Sequence, residues 1–471
     1  MVAAWGALFL LLAIYLAIFA YFYPPTFGIE DEAGYINQAF TWQHGSITSD
    51  GAGYTQLSDF DQINGRNVSF RHPGRAVTLL PFLAAFGFRS IFVSSALIHL
   101  LTVLAGALLL SRLGKSPLWA VLLLFHPTMA LYSRTVMSDE LSGLFLVLAV
   151  LAVTNRRGKG ILAGMALGAA VLTRYHVAIV VPFFVIALYF DRGWREALKC
   201  WVTTGAWAVL IAGYNYAVFH NFAGGYGVHA AFGVKYLPGN LAFYLLALLA
   251  LWPLQLLAPV VDRSSIRWYV RVCCLPIFVL LLFYFYHETG TSVAQTIILG
   301  QRLMLTILPL WIVSYAYSLD TLVRPLAQRL VPTPVRRAAI AAFCCVLAFG
   351  ALVIFRAHQA HLWELKNATA EIDQVAPPGA VLVANRNLTK FFGTPATGLK
   401  SYDWLVYQFE NVPIDNSQRL AAERKEWYLA ILARRPGEEL PATLNEYVAQ
   451  YHMVKLPTKN PNLIFYKAPA H

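Results

Sequence analysis

Residues 1 to 23, MVAAWGALFLLLAIYLAIFAYFY, contain no charged side chain. A run of that length matches the roughly 20 residues a helix needs to cross a hydrocarbon core. Further uncharged runs follow one another through residue 355. In lipid, every backbone N–H and C=O must find a partner within its own element, so such runs fold as helices. The first run is too long for a signal-peptide core. It also lacks basic residues before it and an A-x-A site after it, so it reads as a retained transmembrane helix. Only 13% of the 471 residues are charged, against about 25% in soluble domains. The chain therefore reads as an α-helical polytopic membrane protein.

Eleven candidate spans can be drawn: 1–23, 91–111, 117–133, 141–154, 161–173, 177–190, 200–219, 241–261, 272–286, 303–319 and 338–355. Every second connection between them is rich in arginine and lysine. Arg112 and Lys115 come first, then Arg156, Arg157 and Lys159, then Arg192, Arg195 and Lys199. Arg263, Arg267 and Arg271 follow, and then Arg324, Arg329, Arg336 and Arg337. The alternate short loops hold only Arg134, Arg174, Lys235 and Arg302. The positive-inside rule places the rich set in the cytoplasm. The formal net charge of +12 is thus topological. Scattered over many short loops, it does not make a nucleic-acid face. The five cysteines, Cys200, Cys273, Cys274, Cys344 and Cys345, fall in or beside apolar spans and read as small packed hydrophobes.

The stretch 161–190 tests the count. As one helix it would put "TRYH" at mid-membrane and its two basic flanks on opposite sides. As two short spans it returns both flanks to the cytoplasm and leaves Arg174 at the outer face. The two-span reading is preferred. Two larger pieces then lie outside: the loop 24–90 and the tail beyond 356. The expected division is a transmembrane domain of residues 1–356, including that loop, and a C-terminal extracytoplasmic α/β domain of residues 357–471. In the tail, "HLWELKNATAEIDQV" and "RLAAERKEWYLAILARR" read as helices. "VLVAN", "HMVKLP" and "NLIFYKA" read as strands.

The acids on the outer side cluster in two places. "GIEDEAGY" carries Glu30, Asp31 and Glu32 just after the first span, and "RTVMSDELSG" carries Asp139 and Glu140 between the third and fourth. Ionisable residues that close to hydrocarbon are costly and often functional. Two acid pairs there can act as a general base, hold a divalent cation, or both. They can also simply cap the helices that follow. Arg174, Arg302, and the group Arg71, His72 and Arg75 in "FRHPGRAVTLLPF" run against the positive-inside trend. An anionic ligand such as phosphate would account for them, as would snorkelling or pairing with the acids. Outer aromatics including Tyr35 suit a sugar face or an interfacial belt. His287 and Glu288 share that side without metal-ligand spacing.

These residues together resemble a family. "DEAGYINQA" after the first span is similar to the first-loop Asp-Glu signature of GT-C-type membrane glycosyltransferases. The style is that of the protein O-mannosyltransferases and lipid A aminoarabinose transferases. "FRHPGRAVTLLPFLAAFGF" resembles the family's H-P-P-L segment, "VMSDELSGLFLVLAV" its second acidic turn, and "GMALGAAVLTRYHVAIVVP" its G-x-x-x-G-x-A-x-L-T-[KR] stretch. "QRLMLTILPLW" and "APPGAVLVAN" resemble its arginine-led span and the opening of its small terminal domain. Two departures stand out. Gly74 replaces the second proline of H-P-P, and Asp139-Glu140 stands where other branches carry D-x-D. The second departure leaves metal coordination open, and no cofactor is named beyond a divalent cation as one alternative.

The resemblance implies transfer of a sugar from a polyprenyl-phosphate carrier to an extracytoplasmic glycan, lipid or protein, at the inner membrane, by inverting single displacement. It implies Asp31 as catalytic base with Glu32 beside it. Arg174, Arg302, His72 and Arg75 become donor-phosphate residues. Asp139, Glu140, Tyr35 and Glu288 become an acceptor or cation site. The competing class is a flippase for the same lipid-linked sugar, which would carry paired broken helices in two related halves.

Overall fold

The protein's computed structural model describes residues 2–48, 60–63, 66–154, 159–225, 232–252, 255–285, 290, 292–400, 403–407, 426–433, 440 and 442–469. Along the chain, α1 (Val2–Tyr21) and α2 (Glu30–Gln43) precede strands β1 (Phe60–Ile63) and β2 (Arg66–Ser69). Next come α3 (Pro73–Phe86), α4 (Ile91–Arg112), α5 (Val121–Leu124), α6 (Pro127–Tyr132), α7 (Asp139–Val153) and α8 (Gly160–Thr173). Then follow α9 (Val180–Arg192), α10 (Trp194–Phe219), α11 (Leu237–Leu251), α12 (Ala258–Val261), α13 (Arg267–Leu282), α14 (Val293–Gly300), α15 (Leu308–Leu330) and α16 (Thr333–Val375). The remainder is β3 (Val381–Asn385), α17 (Arg386–Phe392), β4 (Asp403–Tyr407), β5 (Trp427–Leu432), the helix Ala442–Gln450, β6 (Val454–Lys455) and β7 (Leu463–Lys467). The chain forms two compact units: residues 1–23, 72–78 and 92–357 in one, and 24–71, 79–91 and 358–471 in the other.

The first unit is a helix bundle. Across the described residues, six helices are long and apolar enough to cross a membrane. They become seven if Val293–Thr306 and Leu308–Leu322, bent by 98° at their junction, count as one span. This is a multi-pass membrane protein. The expected count of eleven is not reached by full-length helices, because α7, α8 and α13 are short and the run 117–133 is broken. Its break has a local cause. Pro127 opens α6, and the residue before a proline is driven out of the helical region. His126 accordingly sits at φ −60°, ψ 128°.

The stretch 161–190 folds as two helices that run in opposite directions. α8 lies alongside α10 in parallel: a Cβ on Gly160 would meet the Glu196 carbonyl, one on Gly164 Cys200, and one on Gly168 Trp207. Spacing by four residues puts these glycines on one face, which lets two helix backbones approach closely. The far end of α9 returns to the end of α7, from which the chain enters α8, since Arg192 donates to the Val153 carbonyl at 3.1 Å. The chain therefore turns at Arg174, which leaves the helix with φ −149°, ψ 105°.

The same end of the bundle gathers the basic connections. Arg112 donates to Leu151 O at 2.7 Å and Thr154 Oγ1 at 2.9 Å. The Gly160 amide donates to Glu196 at 2.7 Å, and Tyr269 to Asp191 at 2.8 Å. The opposite end carries Asp139 and Arg174. There Arg134 is a strut: it donates to Phe355 O at 2.9 Å and Phe22 O at 2.5 Å, with its guanidinium 4.9 Å from the Phe355 ring.

The second unit contains a five-stranded sheet in the order β4-β3-β5-β7-β6. β3 pairs in parallel with β4 and β5, while β7 pairs antiparallel with β5 and β6. Strands covered on both faces read as unbroken apolar runs, and all residues of β3 and β5 are buried. This corrects one expectation. "WYLAIL", residues 427–432, was read as part of a helix but forms β5. Six consecutive apolar residues fit a buried strand and a buried helix equally, and periodicity cannot separate them. The residues N-terminal to it that suggested a helix, 419–425, lie outside the described residues. Val381, Val383, Trp427, Leu429, Ile431 and Leu444 form the core of this unit.

Candidate active-site residues

In the helix bundle, α7 begins at Asp139, whose carboxylate is fully buried. The Arg174 guanidinium donates to Asp139 Oδ2 and forms a buried ion pair with it. The Arg302 Nε lies 3.8 Å from the same oxygen. Arg174 arrives because α8 ends there. Arg302 arrives on a 3-10 turn, residues 301–306, inside the bent pair. Gly143 makes that approach possible, as a Cβ there would stand 2.5 Å from the Leu305 carbonyl. Two arginines thus converge on one carboxylate at the turn end of the bundle.

The "HPGR" segment packs onto the same turn. The His72 ring meets the Tyr175 ring edge-on at 4.2 Å. A Cβ on Gly74 would lie 2.6 Å from Thr173 Oγ1 and 2.8 Å from its Cα. Glycine therefore replaces the second proline of H-P-P for a steric reason: any side chain would strike the backbone just before Arg174. Arg75, buried, donates to Ser95 Oγ at 2.6 Å and Thr78 Oγ1 at 3.2 Å. His72, Arg75, Arg174 and Arg302 thus all belong to the bundle.

The two acids of the second turn part company. Asp139 faces the arginines, while Glu140 Oε1 lies 2.6 Å from His99 Nδ1, whose other nitrogen is 3.1 Å from Leu124 O. His99 was not singled out in the sequence, although an ionisable residue inside the apolar run 91–111 is itself a signal.

The first acidic cluster lies in the other unit. Glu32 folds back as a helix cap: its Oε2 accepts the Gly28 and Ile29 amides, both at 2.8 Å. These bonds from the third helical residue are half of a capping box, since Ile29 at the N-cap has no side-chain acceptor to return one. Asp31 is half-buried and accepts a hydrogen bond from Arg71 in an ion pair. Arg71 is also 5.9 Å from the Tyr35 ring and 5.4 Å from the Phe70 ring. Of the readings open to Arg71, the structure shows pairing with an acid; which acid was not legible, since its partner stands 40 residues away and no local spacing announces it. Tyr35 is buried on α2. Glu288 lies outside the described residues. No group of three or more His, Cys, Asp or Glu among the described residues could hold a metal ion.

No protein-family model matches the chain's sequence, and no curated protein matches it in sequence. A solved structure does match: ArnT from Cupriavidus metallidurans bound to undecaprenyl phosphate. The match covers 99% of this chain and 98% of that one, with a TM-score of 0.59 and 13% identity. At that identity the likeness is one of fold, and it runs the whole length of both chains. The fold is ArnT-like from end to end.

Proposed function

We propose that this protein is an integral membrane glycosyltransferase that takes a sugar from a polyprenyl-phosphate donor and passes it to an extracytoplasmic acceptor. The observation that carries this reading is the convergence of Arg174 and Arg302 on Asp139 at the turn end of a bundle with the ArnT fold. Two buried guanidiniums suit a phosphate, which they can hold through charge-assisted and bidentate hydrogen bonds. The matched ArnT structure contains undecaprenyl phosphate, which is the chemistry these arginines would bind here. His72 and Arg75 join them as donor-phosphate residues. Eleven spans are proposed, with α7, α8, α13 and the broken pair α5–α6 completing the long helices.

Asp31 is proposed as the base that accepts the proton of the attacking hydroxyl. A carboxylate has about four lone-pair sites, so Arg71 on one oxygen does not exhaust its capacity. Glu32 serves by fixing the start of α2. Because the leaving group is a phosphate already carrying negative charge, the reaction asks little of a general acid. One base and electrostatic holding of the phosphate suffice. A single displacement inverts the anomeric carbon. Asp139, Glu140, Tyr35 and Glu288 remain the proposed acceptor or cation side.

Donor binding tests the arginines. Arg174→Ala and Arg302→Ala should each weaken polyprenyl-phosphate-sugar binding by about 1.5–3 kcal/mol, measured on monodisperse protein in detergent because Arg174→Ala also breaks the buried pair with Asp139 and should lower stability. Unchanged affinity in both variants would remove the phosphate role. Sidedness has its own test. In a cysteine-free background, an impermeant thiol reagent added outside whole cells should label a cysteine at Lys366 and spare one at Lys159. Labelling of the second alone would invert the proposed topology.

The 98° break between Val293–Thr306 and Leu308–Leu322 supplies one of the two discontinuous helices that a second reading asks for. Flippases and transporters bind substrates at discontinuous helices. On that reading the same arginines hold the lipid phosphate and no sugar is released.

A further inference from the structure

Within the second unit, the peptide before the acidic cluster is held from both sides. The Gly28 amide donates to Glu32, and the Gly28 carbonyl accepts a hydrogen bond from Lys390 Nζ. Lys390 stands on α17, following strand β3, and is 2% exposed. Its neighbours grip the same helix start. The Phe391 ring lies 4.6 Å from Phe27, and Asn37 of α2 donates to Gly393 O at 2.9 Å and Thr394 Oγ1 at 3.4 Å. A Cβ on Gly28 would come within 2.9 Å of Leu362. Burying an ammonium is costly unless it is well paired, and a neutral side chain could have filled the same space. Among its contacts, the cation holds the Gly28 carbonyl, three residues before Asp31.

We propose that Lys390 is a positioning residue for sugar transfer, setting where Asp31 stands through its bond to the Gly28 carbonyl. The C-terminal segment that carries Lys390 is then part of the machinery that aims the base, in addition to any part it takes in acceptor binding. This rests on the reading of Asp31 as the base. Displacing a reacting group by about 1 Å can cost on the order of 100-fold in rate. Lys390→Met keeps length and loses the donor and the charge, so its turnover should fall about 10- to 100-fold. Lys390→Arg keeps a cationic donor and should retain most of the turnover. In both, the dissociation constant for the polyprenyl-phosphate donor should match wild type.

The experiment measures kcat and donor binding for the full-length protein in detergent, with Asp31→Asn in parallel. Amide exchange at residues 28–35 is followed by mass spectrometry. Lower kcat in Lys390→Met, faster exchange at 28–35, unchanged donor binding and recovery in Lys390→Arg support the proposal. If Lys390→Met is not monodisperse, Asn37→Ala takes its place and should lower kcat in the same direction to a smaller extent. Wild-type kcat in the Lys390 variant, or in the Asn37 variant where it stands in, with Asp31→Asn inactive overturns the positioning role alone. Retained transfer in Asp31→Asn overturns the reading of the base, and the positioning role with it.

Discussion

Asp31→Asn should fold, bind the lipid-phosphate donor and transfer sugar at least about 100-fold more slowly than wild type. The substitution keeps the shape of the side chain and removes its capacity to take a proton. General-base catalysis is commonly worth about 10²–10⁴ in rate. The Arg71 guanidinium beside it can donate to the amide oxygen as it does to the carboxylate, so the local fold should survive. Glu30→Gln should be milder, since Glu30 precedes the matched motif. Glu32→Gln should act through the start of α2, because its carboxylate holds the Gly28 and Ile29 amides. Near-full transfer in Asp31→Asn, with transfer lost in Asp139→Asn, would move the base to the second acidic turn.

Asp139→Ala should lower stability by about 3–5 kcal/mol, the usual result of removing one member of a buried ion pair. Arg174 and Arg302 both approach this carboxylate, and all three residues are buried. Its loss leaves like charges close together without their anion. Polyprenyl phosphate should then stabilise the variant more than it stabilises wild type, because the lipid supplies the missing negative charge and a ligand that binds only the folded state raises stability. Thermal unfolding in detergent, with and without the lipid, measures both effects. A variant as stable as wild type would show that the arginines are balanced by other groups.

The membrane part of the fold was largely legible in the sequence because its governing physics is local. Uncharged runs mark helices, arginine groups mark one end of the bundle, and two basic flanks around 161–190 forced a turn at Arg174. The arginines of the candidate site were legible for the converse reason: Arg174 and Arg302 break the charge pattern. What escaped was long-range. The partners Arg71 and Asp31, His99 and Glu140, and Lys390 and Gly28 are joined by tertiary packing, which leaves no period or spacing along the chain. "WYLAIL" failed differently, because an apolar run of six suits a buried strand and a buried helix alike. The steric reason for Gly74 also needed the structure, since only there does the Thr173 backbone stand against it.

A transferase, unlike a carrier, consumes the lipid-linked sugar it binds. Purified protein in detergent is given a radiolabelled polyprenyl-phosphate sugar together with an extract of extracytoplasmic acceptors, and the free polyprenyl phosphate is measured over time. Release of polyprenyl phosphate is expected, with the label moving to an acceptor, and about 100-fold slower release by Asp31→Asn. Saturable donor binding through Arg174 and Arg302, with the sugar remaining on its lipid throughout, would contradict that expectation and identify a carrier of the lipid.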